Sequence, residues 1–195
     1  MKRSELKKQA KAALKGHWGV AILVGLAMVG INWIIGMIPV IGWAVSLAAV
    51  VFDFGIAAFY LSVVRAGDIQ FSTLFSSSFE GFAKKLGTIW LQILYIFLWS
   101  LLLWIPGIIK SYSYAMTEYI LLDNPELTAN EAITKSREMM DGYKWKLFVL
   151  ELSFIGWRIL CMIPVLGTVL GLLYVNPYVT ATRAQFYEEL KAIKG

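Results

Sequence analysis

Apolar and polar positions alternate along this chain in a pattern that occurs three times. Each unit starts with a glycine in a polar stretch, continues through an apolar stretch to an Ile-Pro pair, and ends with a second apolar stretch. The glycines are Gly16, Gly81 and Gly142, and the matching prolines are Pro39, Pro106 and Pro164. Because an α-helix rises about 1.5 Å per residue, about 20 apolar residues cross the hydrocarbon core of a membrane. The pattern therefore predicts three membrane hairpins with one shared orientation.

The two apolar stretches of each unit predict six membrane-spanning helices. They cover residues 18–38, 42–64, 88–105, 108–122, 147–163 and 165–182. The fourth is short and contains Lys110 and Glu118, and Asn176-Pro177 is expected to interrupt the sixth. Six spans are favoured over five, because without the fourth span the basic segments on both sides of the third hairpin would face outward. The predicted fold class is an all-α, polytopic membrane helix bundle of three parallel helical hairpins.

Short amphipathic helices are predicted beside the hairpins. Residues 1–17 place Leu6, Ala10 and Leu14 on one face with lysines opposite, which predicts a basic helix at the membrane interface. Residues 71–82 have a similar apolar spacing, and Thr128 with Glu131 forms the signature of a capping box. The predicted organisation is this N-terminal helix followed by a single six-span domain at 18–195. Its repeats cover about 16–65, 81–125 and 142–187 and are related by an axis along the membrane normal.

The amino-acid composition indicates a membrane protein rather than a soluble helical protein. Hydrophobic residues are 58% of the chain and charged residues 16%, against about 45–50% and about 25% in soluble domains. No charged residue lies between His17 and Asp53. In water such a stretch would expose more apolar surface than a soluble monomer tolerates.

The distribution of charge predicts the topology. Lysines and arginines concentrate in the N-terminal helix, between the hairpins and after the last span, whereas only Lys110 lies close to a proline turn. The positive-inside rule then predicts cytoplasmic N- and C-termini. The net charge of +5 could suggest nucleic acid, but this distribution favours anionic lipid headgroups at the cytoplasmic face as the partner, with no nucleic acid.

Polar residues within the spans recur at two depths. Counted from the proline turns, five lie roughly 18–21 Å along the helices and form an inner layer, and three lie at about 6–10 Å and form an outer layer. The inner layer is Asp53, Gln92, Glu118, Glu151 and Asn176, and the outer layer is Asn32, Lys110 and Arg158. Charged residues in a membrane are costly and are functional candidates by default.

These layers allow two interpretations. In the first, the inner layer lines a cavity for a cation, a proton, or a cationic or zwitterionic head group, and Lys110 and Arg158 close its outer end. In the second, the layers are structural: the carboxylates are solvated at the cytoplasmic interface or pair with nearby basic residues, and the outer cations extend to the headgroups. The basic residues within reach are Lys84, Lys85, Lys144 and Arg65.

Motifs of known catalytic chemistry are absent from the sequence. The single histidine, His17, borders an apolar span, and the single cysteine, Cys161, lies within one. No cluster with metal-ligand spacing, nucleophile motif or phosphate loop occurs. We therefore predict no catalytic residues, no metal site and no cofactor, and an intramembrane enzyme is the least favoured class.

Several short motifs carry a resemblance to a known family. They are Ile105-Pro-Gly-Ile-Ile-Lys-Ser-Tyr-Ser-Tyr-Ala-Met, Leu122-Asp-Asn-Pro125, Asn130-Glu-Ala-Ile, Met139-Met-Asp-Gly142, Leu147-Phe, Leu152-Ser-Phe-Ile-Gly-Trp157, Asn176-Pro-Tyr and Ala184-Gln-Phe-Tyr187. Together they resemble the bacterial integral membrane family catalogued as domain of unknown function 975. The resemblance is strongest over 105–157 and implies a multi-pass protein of the bacterial plasma membrane. It supplies no reaction, ligand or site residue.

The expected function is therefore non-enzymatic. We expect a membrane-resident binding or interaction module for lipid, an amphiphilic peptide or a membrane protein partner, with a role in envelope homeostasis or protection. The alternative is a small transporter or channel that uses the intramembrane acidic layer.

Overall fold

The helical periodicity of the sequence is found in most of the residues that the structure describes. A computed structural model describes residues 2–37, 49–65, 70–102, 104–163 and 166–194, which are 82% helical overall and contain no strand. The predicted all-α class is thus confirmed. The turns at Ile38-Pro39 and Pro164, and residues 42–48 of the second predicted span, lie outside the described residues.

Twelve α-helices and one π-helical segment are found within the described residues. They are α1 (Arg3–Ala13), α2 (Trp18–Gly36), α3 (Phe52–Val64), α4 (Thr73–Phe79), α5 (Phe82–Leu102), α6 (Trp104–Ser113), α7 (Thr117–Asp123), α8 (Ala129–Met139), α9 (Lys144–Leu152), α10 (Ile155–Leu160), α11 (Leu166–Leu170), the π segment Gly171–Val175, and α12 (Asn176–Lys194).

The three glycines of the repeat occupy equivalent places in the fold. Gly16, Gly81 and Gly142 have φ values of +90°, +64° and +79°. Gly16 lies between α1 and α2, Gly81 between α4 and α5, and Gly142 between α8 and α9. In each case an apolar helix follows the glycine. A left-handed residue after a helix is nearly free of steric cost only for glycine. The repeat in the sequence is therefore also a repeat of surface helix, left-handed glycine and apolar helix.

The short helices pack on protein through their apolar faces. On α1, Leu6, Ala10 and Leu14 are buried in the core, and α1 lies against α12. The face that predicted lipid contact is thus covered by the chain itself, because α12 offers Phe186 and Leu190 to it. The predicted capping box of α8 is present, with the Thr128 hydroxyl and the Glu131 carboxylate bonding to each other's backbone amides.

Two predicted spans are broken in the middle. The fourth consists of α6 and α7, separated at residues 114–116, and the fifth of α9 and α10, separated at 153–154. The sixth was expected to be interrupted at Asn176-Pro177, but the chain stays helical there. Proline lacks a donor and its ring collides with the carbonyl one turn earlier. The π segment Gly171–Val175 widens the helix just before Pro177, which removes this collision.

Gly167 and Gly171, two small residues four positions apart, allow a close approach between the last two segments of the third repeat. A side chain at Gly167 would overlap the backbone of Cys161, and one at Gly171 would touch the Cys161 sulfur. These two glycines therefore allow α11 and the π segment to lie directly against the end of the preceding segment.

One helix of the described residues is long and apolar enough to cross a membrane. It is Trp18–Ile35, with a mean hydropathy of 2.1, and only 11% of its residues are buried. Large apolar side chains are exposed on α2, on the second half of α5 and on α10, whereas buried residues concentrate on α3, α7, α8 and α12. The bundle is therefore packed most densely at the end where α3, α7, α8 and α12 meet, and presents apolar surface elsewhere.

A single carboxylate ties the three repeats together at this packed end. Arg65 makes a two-pronged ion pair with Asp123, at 2.9 Å and 2.7 Å. The Tyr187 hydroxyl donates to Asp123 over 2.9 Å, the Lys191 ammonium over 2.6 Å, and Arg65 also pairs with Glu188 at 2.7 Å. Burial alone raises the pKa of Asp123, but the hydrogen bonds from Arg65, Lys191 and Tyr187 outweigh it and lower the pKa to about 2.

Candidate binding cavity

Four of the five residues of the predicted inner layer line one cavity. Asp53 comes from the first turn of α3, Glu118 from α7, Glu151 from the last turn of α9 and Asn176 from the start of α12. The cavity has a volume of about 990 Å³ and lies where the three repeats meet. Counting residues from the proline turns thus brought together side chains that are far apart in the sequence.

The fifth residue, Gln92, lines a smaller cavity of about 370 Å³ next to the first. Its side-chain amide donates to the Tyr114 carbonyl over 3.2 Å. The two cavities share four residues, which form the wall between them: Glu118, Tyr119, Glu151 and Arg183. The predicted layer is therefore divided between two adjoining spaces rather than enclosing one.

The central basic residue of the site, Arg183, was missed from the sequence. Its guanidinium pairs with one oxygen of Glu151 at 2.9 Å, and the other oxygen accepts a hydrogen bond from the Tyr112 hydroxyl over 3.0 Å. The Arg183 side chain is 42% exposed because it faces cavity space, yet its Nε atom is buried with no hydrogen-bond partner among the described residues. Its seven-residue spacing from Asn176, two helical turns, was the signal that could have found it.

Two of the carboxylates in the large cavity are unpaired. Neither Asp53 nor Glu118 makes a hydrogen bond or ion pair with another described residue, and neither has an oxygen fully removed from open space. In the structural alternative the carboxylates are solvated or pair with Lys84, Lys85, Lys144 or Arg65. Of these residues, Lys84 donates to the Pro125 carbonyl and Lys85 to the Ser77 carbonyl. Arg65 is held by Asp123 and Glu188, away from the cavity.

The outer layer does not form as predicted. Arg158 lines the large cavity, but Asn32 and Lys110 line neither of the two. The Asn32 amide donates to the Met28 carbonyl of its own helix over 2.8 Å. The Lys110 ammonium lies 4.3 Å from the centre of the Trp99 ring, where the aromatic face attracts a cation. Neither side chain lines the cavity, so Lys110 does not close it.

The remaining wall of the large cavity is apolar. Val29, Leu172 and Met162 line it, and Met162 is 80% exposed. The cavity therefore combines charged side chains with an apolar side that reaches the surface of the bundle. Among the described residues no group of three or more histidine, cysteine or acidic side chains could hold a metal ion. The arrangement can bind a molecule with a polar and an apolar part.

Comparison with known proteins places the chain in a family. No curated protein and no solved structure matches it significantly. The family described as "Protein of unknown function (DUF975)" matches residues 1–110 and 101–194, which together cover nearly the whole chain. The resemblance predicted from the short motifs is thereby confirmed, and the chain belongs to the DUF975 family.

Proposed function

We propose that this chain is a multi-pass protein of the bacterial plasma membrane, with six spans in three hairpins and with cytoplasmic termini. The support is the distribution of exposed apolar side chains, which cover α2 and the second half of α5 instead of being confined to an interior. The break between α6 and α7 fits this topology, because non-helical backbone inside a membrane is tolerated where it lines a cavity, as Ala115 does.

The function that the geometry supports best is non-enzymatic binding of an amphiphilic molecule. The observation that carries this proposal is the large cavity, whose charged side bears the unpaired Asp53 and Glu118 and whose apolar side opens at Met162. Its volume of about 990 Å³ is at the upper end of the range typical of small-molecule sites. A lipid or an amphiphilic peptide would place its polar group among the charges and its chain along the apolar wall, which suits a role in envelope homeostasis or protection.

Anionic lipid headgroups are the proposed partner at the cytoplasmic face. Lys2, Arg3 and Lys146 line a groove of about 570 Å³ between α1, α9 and α12. Trp145 lines the same groove and is 71% exposed, as expected of an indole ring at the level of the headgroups. Each basic residue near an anionic surface contributes about 1 kcal/mol to membrane association.

A small transporter or channel is the second candidate. The observation that favours it is the shared wall of the two cavities, where only the side chains of Glu118, Tyr119, Glu151 and Arg183 separate one space from the other. Rearrangement of the Glu151–Arg183 ion pair would connect the two cavities.

One experiment tests binding and separates it from transport. The protein and its Asp53→Asn variant are purified in dodecyl maltoside, and bound lipid is identified by native mass spectrometry; the same proteins are then placed in vesicles containing a pH-sensitive dye. We expect bound amphiphile on the unmodified protein and no proton flux. Asp53→Asn should carry at least about tenfold less amphiphile, because an amide cannot form the charge-assisted hydrogen bond of a carboxylate. Asp141→Asn, on the surface, is the matched control.

Loss of bound amphiphile in Asp141→Asn as well as in Asp53→Asn, or none on the unmodified protein, contradicts the binding proposal. Proton flux that Asp53→Asn abolishes and Asp141→Asn retains favours the transporter.

A further inference from the structure

Opposite charges in the large cavity are held apart instead of being paired. Glu151 and Arg183 neutralise each other at 2.9 Å. Asp53, Glu118 and Arg158 line the same cavity, yet none of the three makes an ion pair or side-chain hydrogen bond with another described residue. Asp53 and Arg158 are exposed and Glu118 is half-buried, so all three are open to the space of the cavity and available to a ligand.

A second unpaired donor lies at the floor of this cavity. The Nε atom of Arg183 is buried and has no hydrogen-bond partner among the described residues, although the guanidinium is already paired with Glu151 at its other end. Buried donors of this kind are rare, and each one calls for an explanation. The cavity thus presents unpaired acceptors on Asp53 and Glu118, and unpaired donors on Arg158 and Arg183.

From this arrangement we infer that the cavity takes an amphiphile with a zwitterionic head group, whose ammonium lies against Asp53 and Glu118 and whose phosphate lies against Arg158 and the exposed part of the Arg183 side chain. The inference rests on the proposed binding function and narrows its ligand to one charge class. Each group left unpaired by the chain then receives a partner of opposite charge. The apolar wall at Val29, Leu172 and Met162 receives the acyl chains.

Head groups of a single charge fit this cavity less well. A purely cationic amphiphile would pair with the two carboxylates. It would leave Arg158 without a partner and would place a further positive charge near it. A purely anionic lipid would satisfy the arginines but would approach Asp53 and Glu118 with like charge. Selectivity therefore comes as much from what the cavity repels as from what it attracts.

Three short-chain probes that differ in head-group charge test the inference. Dioctanoyl phosphatidylethanolamine is zwitterionic, dioctanoyl phosphatidylglycerol is anionic, and dodecylamine is cationic. Each is titrated calorimetrically into the full-length protein in dodecyl maltoside. We expect the zwitterion to bind at least about tenfold more tightly than either other probe, because a probe of single charge makes charge-assisted hydrogen bonds with only one of the two sets of charged side chains. This comparison needs no variant.

Two variants test which charged side chain binds which part of the head group. Asp53→Asn and Arg158→Gln should each weaken binding of the zwitterion by about tenfold or more. The matched controls Asp141→Asn and Arg137→Gln, which change the same charges on exposed surface, should leave it unchanged. Folding of all four variants is checked by far-ultraviolet circular dichroism and size exclusion.

The outcomes separate this inference from the function on which it rests. If dodecylamine binds as tightly as the zwitterion, or if Arg158→Gln leaves binding of the zwitterion unchanged, the ligand is not selected as a zwitterion and the inference falls, while amphiphile binding stands. If none of the three probes binds, the inference and the proposed function fall together.

Discussion

At the scale of single residues, Asp123 is the centre of a cluster of ion pairs and hydrogen bonds that joins distant segments of the chain. Its carboxylate belongs to the second repeat, accepts two hydrogen bonds from Arg65 of the first repeat, and accepts one each from Tyr187 and Lys191 of the third. Hydrogen bonds to a charged acceptor are about twice as strong as neutral ones. This one side chain therefore joins the three repeats at the packed end, in addition to the buried apolar cluster that they share.

Titration of Asp123 should make the protein sensitive to acid. Its pKa falls from the ordinary value of 3.8 to about 2 on folding, so its contribution is complete above about pH 4 and is lost as pH falls toward 2. We expect a contribution of about 1–2 kcal/mol, since Arg65 and Lys191 are partly exposed and water screens them. Thermal unfolding in detergent, followed by circular dichroism at pH 7, 4, 3 and 2, measures it.

Asp123→Asn is the control for this pH dependence. It should be less stable than the unmodified protein at pH 7, and the difference between the two should shrink as pH falls toward 2. A difference that stays constant from pH 7 to pH 2 would show that protonation of Asp123 does not weaken the cluster.

Single residues also show which features of the cavity could be predicted from the sequence and which could not. Depth along a helix follows from counting, because every residue adds the same rise, and this brought Asp53, Glu118 and Glu151 into one cavity. The direction in which a side chain points depends on how the helices pack, which a count does not contain. That is why Asn32 and Lys110 were assigned to a layer they do not join, and why Arg183 was missed.

At the scale of elements, α3 and α4 approach each other very closely at Gly55. A side chain at Gly55 of α3 would overlap the Leu74 carbonyl and the Ser78 hydroxyl of α4. The Ser78 hydroxyl in turn donates to the Leu74 carbonyl over 2.6 Å, so these two polar groups lie together where α4 faces Gly55. Backbone atoms cannot move aside as a flexible side chain does, so this contact tolerates no added atom.

Gly55→Ala should therefore separate α3 from α4. We expect a loss of about 1–3 kcal/mol in the free energy of unfolding, the usual cost of overfilling a packed site. Gly87→Ala is the matched control, since a side chain at Gly87 of α5 meets nothing within 4 Å. Its stability should be unchanged or slightly higher, because alanine favours a helix more than glycine does. Thermal unfolding of both variants in dodecyl maltoside gives the comparison, and equal stabilities would contradict the close contact.

The limits of the elements were predictable where local chemistry decides them. The repeat glycines and the capping box at Thr128 depend on neighbouring residues, and the structure has both. The breaks at 114–116 and 153–154 were missed because packing between elements imposes them: the Met116 amide donates to the buried Ser136 hydroxyl of α8. The Ser153 carbonyl accepts from the Lys7 ammonium of α1, a contact across 146 positions of sequence. No local pattern records such partners.

At the scale of the whole molecule, hydropathy and packing divide the chain in the same way. The apolar helices carry their exposed side chains away from the surface helices, and Ile105 beside the second proline is 70% exposed. This is the arrangement expected of hairpins that enter a membrane from the side of α1, α4 and α8 and reverse at the prolines.

Cysteine accessibility tests this topology. Ile105→Cys and Glu126→Cys are introduced separately into a Cys161→Ser background, which removes the only native thiol. A membrane-impermeant maleimide applied to intact cells should label Ile105→Cys, whereas Glu126→Cys should react only after permeabilisation. The parent Cys161→Ser protein shows the unreacted background. Labelling of Ile105→Cys only from the cytoplasm would reverse the proposed orientation.

The ring of contacts around Asp123 has a consequence for the assembly of the protein. Arg65 lies 58 positions before Asp123 in the sequence, and Tyr187 and Lys191 lie 64 and 68 positions after it. The ring can therefore close only after the ribosome has passed Lys191, so a chain stalled before that point lacks part of this cluster.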